Sequence, residues 1–203
     1  MLRTREGLRP GDHVARVGDD FRGLFAVRAG CFKSYVIDMD GREHVKGFHL
    51  PGELMGIEGI SVGRHATNIT ALENGVICDL RYDELLRISA REPSLQEHLL
   101  RLFARRIAEQ TRRTGDYSAD EKMAAFLLDI SMRYAERGRA AELLDLFMAR
   151  RDIANYLSLA TETVSRVLTR FQKRDLILVN RKRVKLLRIE RLREIAAALT
   201  DAG

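Results

Sequence analysis

Cysteine is scarce in this chain: Cys31 and Cys78 are the two thiols in 203 residues. Two cysteines by themselves build neither a disulfide framework nor a four-thiolate metal site. Long apolar runs are absent, and none approaches the roughly 18 residues that a membrane-spanning helix needs. The opening segment, Met1-Leu2-Arg3-Thr4-Arg5-Glu6-Gly7, has no apolar stretch of signal-peptide type. These absences argue against a membrane partner and against export, and they predict a cytoplasmic protein. No nucleophile–base spacing, metal-ligand spacing or phosphate-binding loop occurs, which argues against an enzyme. His13, His44, His49, His65 and His98 show no ligand spacing either, so surface or packing roles are expected for them rather than haem ligation. Internal repeats and low-complexity tracts are also lacking.

What is there is the balance of a globular chain, 45% hydrophobic and 32% charged, in one domain or two small ones. The net charge of +6 is unevenly spread. Residues 150–193 hold 13 Lys and Arg against 4 Asp and Glu, whereas the rest holds 22 against 25. One segment therefore carries the positive excess, and such a segment seeks phosphate or another anionic surface.

Glycine divides the chain. Of 15 glycines, 12 lie at or before residue 75, where tight turns between short strands need them. The apolar runs Leu24–Val27, Phe32–Ile37, Val45–Leu50, Ile69–Leu72 and Val76–Leu80 predict strands of a barrel or sandwich. Asp40-Gly41, between Ser34–Met39 and Arg42–Phe48, predicts a two-residue hairpin turn.

From Glu92 to Gly115 the pattern turns helical, with Pro93 near the first turn. Leu95, Leu99, Leu102, Phe103 and Ile107 form a narrow apolar seam that becomes polar at Gln110, Thr111 and Thr114. Such a helix either lies on its own domain or pairs with its copy; its place between two units favours the dimer. A second helix is predicted from about Asp120 to Glu136, with Gly138 as its cap, followed by a strand at Leu143–Phe147.

The basic segment carries the function. Ile153, Ala154 and Leu157 form one short apolar stripe, Ser158–Ala160 break it, and Val164, Val167, Leu168 and Phe171 form a second. Two short helices with a turn of about three or four residues make a helix-turn-helix. Thr161 is the expected N-cap of the second helix, with Glu162 in its first turn. That helix would display Glu162, Thr163, Ser165, Arg166, Thr169, Arg170 and Lys173, groups suited to base edges and phosphates. Leu176–Leu186 then places apolar-rich strands around Arg181-Lys182-Arg183, a β-wing whose cations would reach the DNA backbone.

The whole chain resembles the CRP/FNR family of bacterial transcription regulators, and most closely its FNR branch. The resemblance rests on Gly18-Asp19 with Leu24–Gly30, Phe32-Lys33-Ser34-Tyr35, Gly47–Leu54, Lys122–Leu127 and, most strongly, Asn155–Arg166, and it spans residues 10–192. It implies an α+β protein of three parts. Residues 1–91 would form a β-roll sensor domain of cupin-like, cyclic-nucleotide-binding-like type. Residues 92–115 would form a long dimerisation helix, and residues 116–203 a C-terminal winged helix-turn-helix.

Glu162, Ser165 and Arg166 fall on the FNR pattern Glu-x-x-Ser-Arg, which implies readout of a TTGA half-site and a TTGA–TCAA palindrome bound by a homodimer. Thr161, Thr163, Thr169, Arg170, Lys173, Arg181 and Arg183 would contact phosphate. The segment Ile57-Glu58-Gly59-Ile60 matches in position a loop that touches RNA polymerase in FNR relatives, which implies activation. Ser158 stands where this turn commonly has glycine.

Two departures bear on the signal. Cys78 aligns with one ligand of the family's oxygen-sensing [4Fe-4S] cluster, but the three N-terminal cysteines and their extension are missing, so no cluster is expected. Cys31 falls at a non-ligand position. In cyclic-AMP-binding relatives a glutamate contacts ribose and Arg-Ser-Ala grips the phosphate. Here Ile57 follows Gly56, and Arg64-His65-Ala66-Thr67 lacks that order, so no cyclic AMP is expected. The alternatives left open are a cyclic-nucleotide-responsive regulator and a redox sensor acting through Cys78 or an Fe-S cluster.

Overall fold

The computed structural model describes residues 3–112 and 116–200. The chain divides into two units, Met1–Leu102 and Phe103–Gly203. The first contains β1 (Arg3–Leu8), β2 (His13–Ala15), β3 (Gly23–Ala29), β4 (Phe32–Ile37), β5 (Glu43–His49), β6 (Leu54–Met55), the single-turn α1 (Gly59–Val62), β7 (Asn68–Ala71), β8 (Gly75–Arg81) and α2 (Tyr82–Ser89). The strands form two four-stranded antiparallel sheets, in the orders β1-β8-β3-β6 and β2-β7-β4-β5. Val14, Ala15, Val27, Phe32, Met55, Ile69, Ala71 and Ile77 come together as its core, with Leu8 and Phe25 at the margin. Removing this apolar surface from water is what holds the roll together.

All five strands expected from the apolar runs are present within a few residues. The structure adds β1, β2 and β6, which are short or polar and carry little period-two signal, and the helices α1 and α2. The β3–β4 turn passes over Gly30 (φ +91°), where an added Cβ would lie 2.7 Å from the Gly75 Cα, so the close crossing of two chain segments requires glycine.

The β4–β5 connection differs from the expected two-residue turn. Ile37 pairs with Glu43, which leaves a five-residue loop, and only Gly41 of the Asp40-Gly41 pair takes a positive φ. The organiser is Asp38, whose Oδ1 accepts from the Asp40 and Arg42 amides at 2.9 Å each and whose Oδ2 meets His44 Nε2 at 2.7 Å. The His44 contact and those amides hold the Asp38 carboxyl below its ordinary range.

α3 (Pro93–Arg112) begins at the proline, whose missing N–H costs nothing at a helix start. Leu95, Leu99, Leu102 and Phe103 are half-buried, and Ile107 is 66% exposed. The expected helix end at residue 115 and the side chains of Gln110, Thr111 and Thr114 lie outside the described residues, as do the extreme ends of the expected sensor and DNA-binding parts.

The second unit continues with α4 (Ala119–Ala135), β9 (Leu143–Asp145), α5 (Arg150–Leu157), α6 (Thr161–Lys173), β10 (Ile177–Asn180), β11 (Arg183–Leu186) and α7 (Ile189–Thr200). A capping box starts α4: the Ser118 hydroxyl accepts from the Glu121 amide at 3.3 Å, and Glu121 Oε2 accepts from the Ser118 amide at 2.7 Å. Gly138 (φ +67°) stops it, with the amides of Gly138 and Arg139 donating back to Ala135 and Tyr134. α7 is an element that the sequence pattern left unnoticed. Its Leu192, Ala196 and Leu199 are buried, a helical spacing that would have revealed it. α7 and α6 both pack on α4, whose Met123, Ala124, Phe126, Leu127, Ile130 and Tyr134 are buried.

Candidate nucleic-acid interface

Two helices and a turn build the interface. α5 ends at Ser158, which takes the left-handed conformation (φ 55°, ψ 47°). Its amide donates to the Asn155 carbonyl at 3.1 Å, and the Leu159 amide donates to Ala154 at 2.8 Å. This is the helix stop that glycine makes most cheaply, and serine adopts it at a modest cost. Three residues, Ser158–Ala160, then separate α5 from α6.

The structure corrects the expected cap of α6. Ala160 is the N-cap, in extended conformation, and it makes no side-chain capping bond; Thr161 is already the first helical residue. The reason is local, since the first helical bond runs from the Val164 amide to the Ala160 carbonyl at 3.1 Å. The amides of the first turn are therefore left without a side-chain acceptor at the cap, and a helix start of this kind attracts phosphate.

Val164, Val167, Leu168 and Phe171 are buried on one face of α6. The opposite face exposes Glu162, Ser165, Arg166, Thr169, Arg170 and Lys173, while Thr161 and Thr163 are half-buried at its edge. A face so divided is clamped from behind and fully presented in front. Ser165, Arg166, Thr169, Arg170 and Lys173 line an open depression of about 450 Å³. The Ser165 and Thr169 hydroxyls donate one turn back, to the Thr161 and Ser165 carbonyls at 3.2 and 3.0 Å. Their lone pairs remain as acceptors.

The cations differ in their engagement. Arg166, Lys173 and Arg181 have no ion-pair partner among the described residues. Arg170, one of the expected phosphate contacts, is held by Asp120 of α4: Nε donates to Oδ2 at 3.1 Å, and Nη2 donates to Oδ1. That hydrogen-bonded carboxylate raises the Arg170 pKa above its already high ordinary value. Arg183 Nε donates to Asp145 Oδ1 at 3.1 Å. Neither acidic partner was anticipated, because Asp120 lies 50 positions and Asp145 lies 38 positions from its arginine.

The wing is a three-stranded sheet in the order β10-β11-β9. Asn180 pairs with Arg183, which leaves Arg181-Lys182 at the tip, with Arg181 in the left-handed region (φ 55°). Arg181, Lys182 and Arg183 are all exposed there. Val184 and Leu186 anchor the hairpin in the core.

In the first unit, Ile57, Glu58 and Ile60 are half-buried and Gly59 is buried against the Phe21 ring. Glu58 accepts a short hydrogen bond from the Thr67 hydroxyl. The exposed part of this loop is its continuation, residues 61–64, where Val62 is 65% exposed.

Sequence relatives agree with this architecture. A family model described as a Crp-like helix-turn-helix domain matches residues 121–195, and one described as a cyclic nucleotide-binding domain matches residues 5–92. The Transcriptional activator protein Anr of Pseudomonas protegens is 38% identical over 190 residues, covering 92% of this chain and 78% of the relative. This chain belongs to the CRP/FNR family. The Fumarate and nitrate reduction regulatory protein of Vibrio cholerae is 35% identical over 205 residues, covering 100% of this chain and 82% of that one. The solved structure of FixK2 from Bradyrhizobium japonicum superposes with a TM-score of 0.82 at 25% identity, covering 96% of each chain. The expected α+β fold, with its N-terminal β-roll and C-terminal helix-turn-helix, is the fold observed, and the chain is a DNA-binding transcription regulator. Among the described residues no helix is long and apolar enough to cross a membrane.

Two features of this CRP/FNR β-roll bear on its signal. Arg64 is exposed, and its Nη1 donates to the Gly18 carbonyl at 3.4 Å. His65 fills the interior instead. It is 4% exposed, stacked on Phe25 with centroids 5.3 Å apart, edge-on to Phe21 at 5.6 Å and in contact range of Gly56. Its Nδ1 has no hydrogen-bond partner among the described residues.

The thiols are also buried: Cys31 is 0% exposed, and Cys78 in β8 is 9% exposed and lies 3.6 Å from the Thr4 hydroxyl. Among the described residues no group of three or more His, Cys, Asp or Glu could hold a metal ion.

Burial pushes the His65 imidazole below its ordinary pKa of 6.5, against the opposing pull of Glu58 and Asp19 and with a small added push from Arg5. Below that ordinary value the unfolded chain binds a proton that the folded chain resists, so stability is full above about pH 6.5 and falls as the pH drops further. The thermal midpoint of the wild type is expected to fall between pH 7.5 and pH 5.5, and a His65→Gln variant is expected to fall less. Parallel pH profiles for the two proteins would contradict this.

Proposed function

We propose that this chain is a homodimeric transcription activator that reads a TTGA–TCAA-type palindrome. The observation that carries the reading is the exposed row Glu162, Ser165 and Arg166 on a helix whose other face is buried. Their spacing of three and four residues puts all three on one surface. Arg166, without an ion-pair partner among the described residues, suits bidentate bonding to a guanine edge. Glu162 accepts from a cytosine amino group, and the Ser165 hydroxyl serves either. Thr161, Thr163, Thr169 and Lys173 supply phosphate contacts, as do Arg181 and Arg183 on the wing. These positioning contacts set the register without reading sequence.

A second copy pairs along Leu95, Leu99, Leu102, Phe103 and Ile107 of α3. Two-fold symmetry then places two copies of α6 in successive major grooves about 34 Å apart. RNA polymerase meets the loop that begins at Ile57-Glu58-Gly59-Ile60 and is most exposed at residues 61–64. The reading includes neither a cluster nor cyclic AMP as cofactor. Cys78 is buried, and so is His65, within a segment Arg64-His65-Ala66-Thr67 that lacks the Arg-Ser-Ala order.

Titration against a TTGAT–ATCAA palindrome, a TGTGA–TCACA palindrome and a scrambled duplex tests the reading, at two salt concentrations and in air and without oxygen. Tight binding to the first duplex alone, alike in both gases, is expected. Preference for the second, or equal binding to all three, would overturn the palindrome assignment. A gas-dependent affinity would overturn the cluster-free reading.

A further inference from the structure

We infer that Asp120 restrains sequence-independent DNA binding by withholding Arg170 from phosphate. Arg170 lines the same depression as Ser165, Arg166, Thr169 and Lys173, so it stands on the presented face of α6. It is the one cation lining that depression with a carboxylate on it among the described residues. The carboxylate arrives from α4, 50 positions earlier, by the packing of α4 on α6. The contact is two-pronged, through Nε at 3.1 Å and through Nη2, the geometry in which arginine and carboxylate match best. Asp120 also lies in the first turn of α4, where the helix dipole favours a negative charge.

The consequence concerns the salt-dependent part of binding. Each cation that neutralises a DNA phosphate releases a condensed counterion, and this term supplies most of the affinity for random sequence. Arg170 paired with Asp120 gains little by exchanging a carboxylate for a phosphate, and the exchange leaves a carboxylate facing the negative backbone. The pair is partly exposed, at 48% and 25%, so it opens without unfolding the unit. Asp120 is thus a positioning residue that acts on DNA only through Arg170. The inference rests on α6 being the DNA-facing helix of the reading above.

The test uses the full chain and a scrambled duplex over a range of salt. Asp120→Asn is expected to bind this duplex about threefold tighter per subunit at low salt, with a slope of log K against log salt steeper by about 0.9 per subunit. In an Arg170→Ala background, Asp120→Asn is expected to change affinity by less than about twofold, because the cation it frees is gone. Thermal melting of each variant shows that all are folded. An unchanged or weaker affinity of Asp120→Asn for the scrambled duplex overturns the inference. So does an equal gain in the Arg170→Ala background, which would be a general effect of net charge. The TTGAT–ATCAA duplex, run in parallel, separates the two ideas: wild-type preference for it upholds the reading above whatever Asp120→Asn does.

Discussion

Arg166→Ala is expected to lose about 1–3 kcal/mol per subunit on the TTGAT–ATCAA duplex, roughly 5- to 150-fold, and to relax the choice of base at one position of each half-site. The size follows from the side chain's situation. Arg166 is exposed on α6 and has no ion-pair partner among the described residues, so no internal contact offsets what it gains from a guanine edge. Its neighbours Val167 and Leu168 are buried and fix the helix beneath it. Arg181→Ala is the matching control. At the exposed wing tip it is expected to weaken all duplexes alike and to lower the salt slope by about one per subunit. Titrations against the palindrome, its single-base variants and a scrambled duplex distinguish the two patterns. Equal loss on specific and scrambled DNA for Arg166→Ala would place this side chain on phosphate instead.

Phe171→Ala is expected to have the largest effect on the protein itself. The ring is fully buried, on the inner face of the helix that carries the recognition residues. Truncating a buried aromatic leaves a cavity and costs about 3–5 kcal/mol, a large share of the roughly 5–15 kcal/mol that holds a domain folded. Specific binding falls with it, because the outer face of α6 is only as well placed as its inner face is clamped. Phe171→Leu, which keeps most of the volume, is expected to cost far less. Urea unfolding followed by circular dichroism measures both. A loss below about 1 kcal/mol for Phe171→Ala would mean that the ring does not anchor the helix.

Much of the site was legible in the sequence because helices and hairpins are governed by neighbours. The break at Ser158–Ala160 between two apolar stripes located the helix-turn-helix, and the stripe Val164, Val167, Leu168 and Phe171 identified the buried face. What that face leaves outside follows from 3.6 residues per turn. The cap of α6 lies one residue before the threonine that local preference favours: threonine is a better cap than alanine in isolation, yet here the backbone already turns at Ala160. The hairpin after β4 departs from its local signal in a similar way. Asp40-Gly41 carries a strong local signal, but the hydrogen bonds of Asp38 make a longer loop the better-satisfied arrangement. β1, β2 and β6 went unseen because each is short or polar and is held mainly by its partner strand.

By itself, the sequence determined the glycine-rich roll before the helical part, the basic segment and the identity of the residues displayed by α6. Each of these depends on spacing along one element, which a linear pattern records in full. Only the tertiary structure decided which cations remain open and which are held. Asp120 reaches Arg170 and Asp145 reaches Arg183 because α4 packs on α6 and β9 pairs with β11. The tertiary structure also turned Arg64 outward and His65 inward, into a space bounded by Phe21, Phe25 and Gly56. Contacts across tens of residues are fixed by how sheets and helices share one interior, and no local pattern encodes that choice.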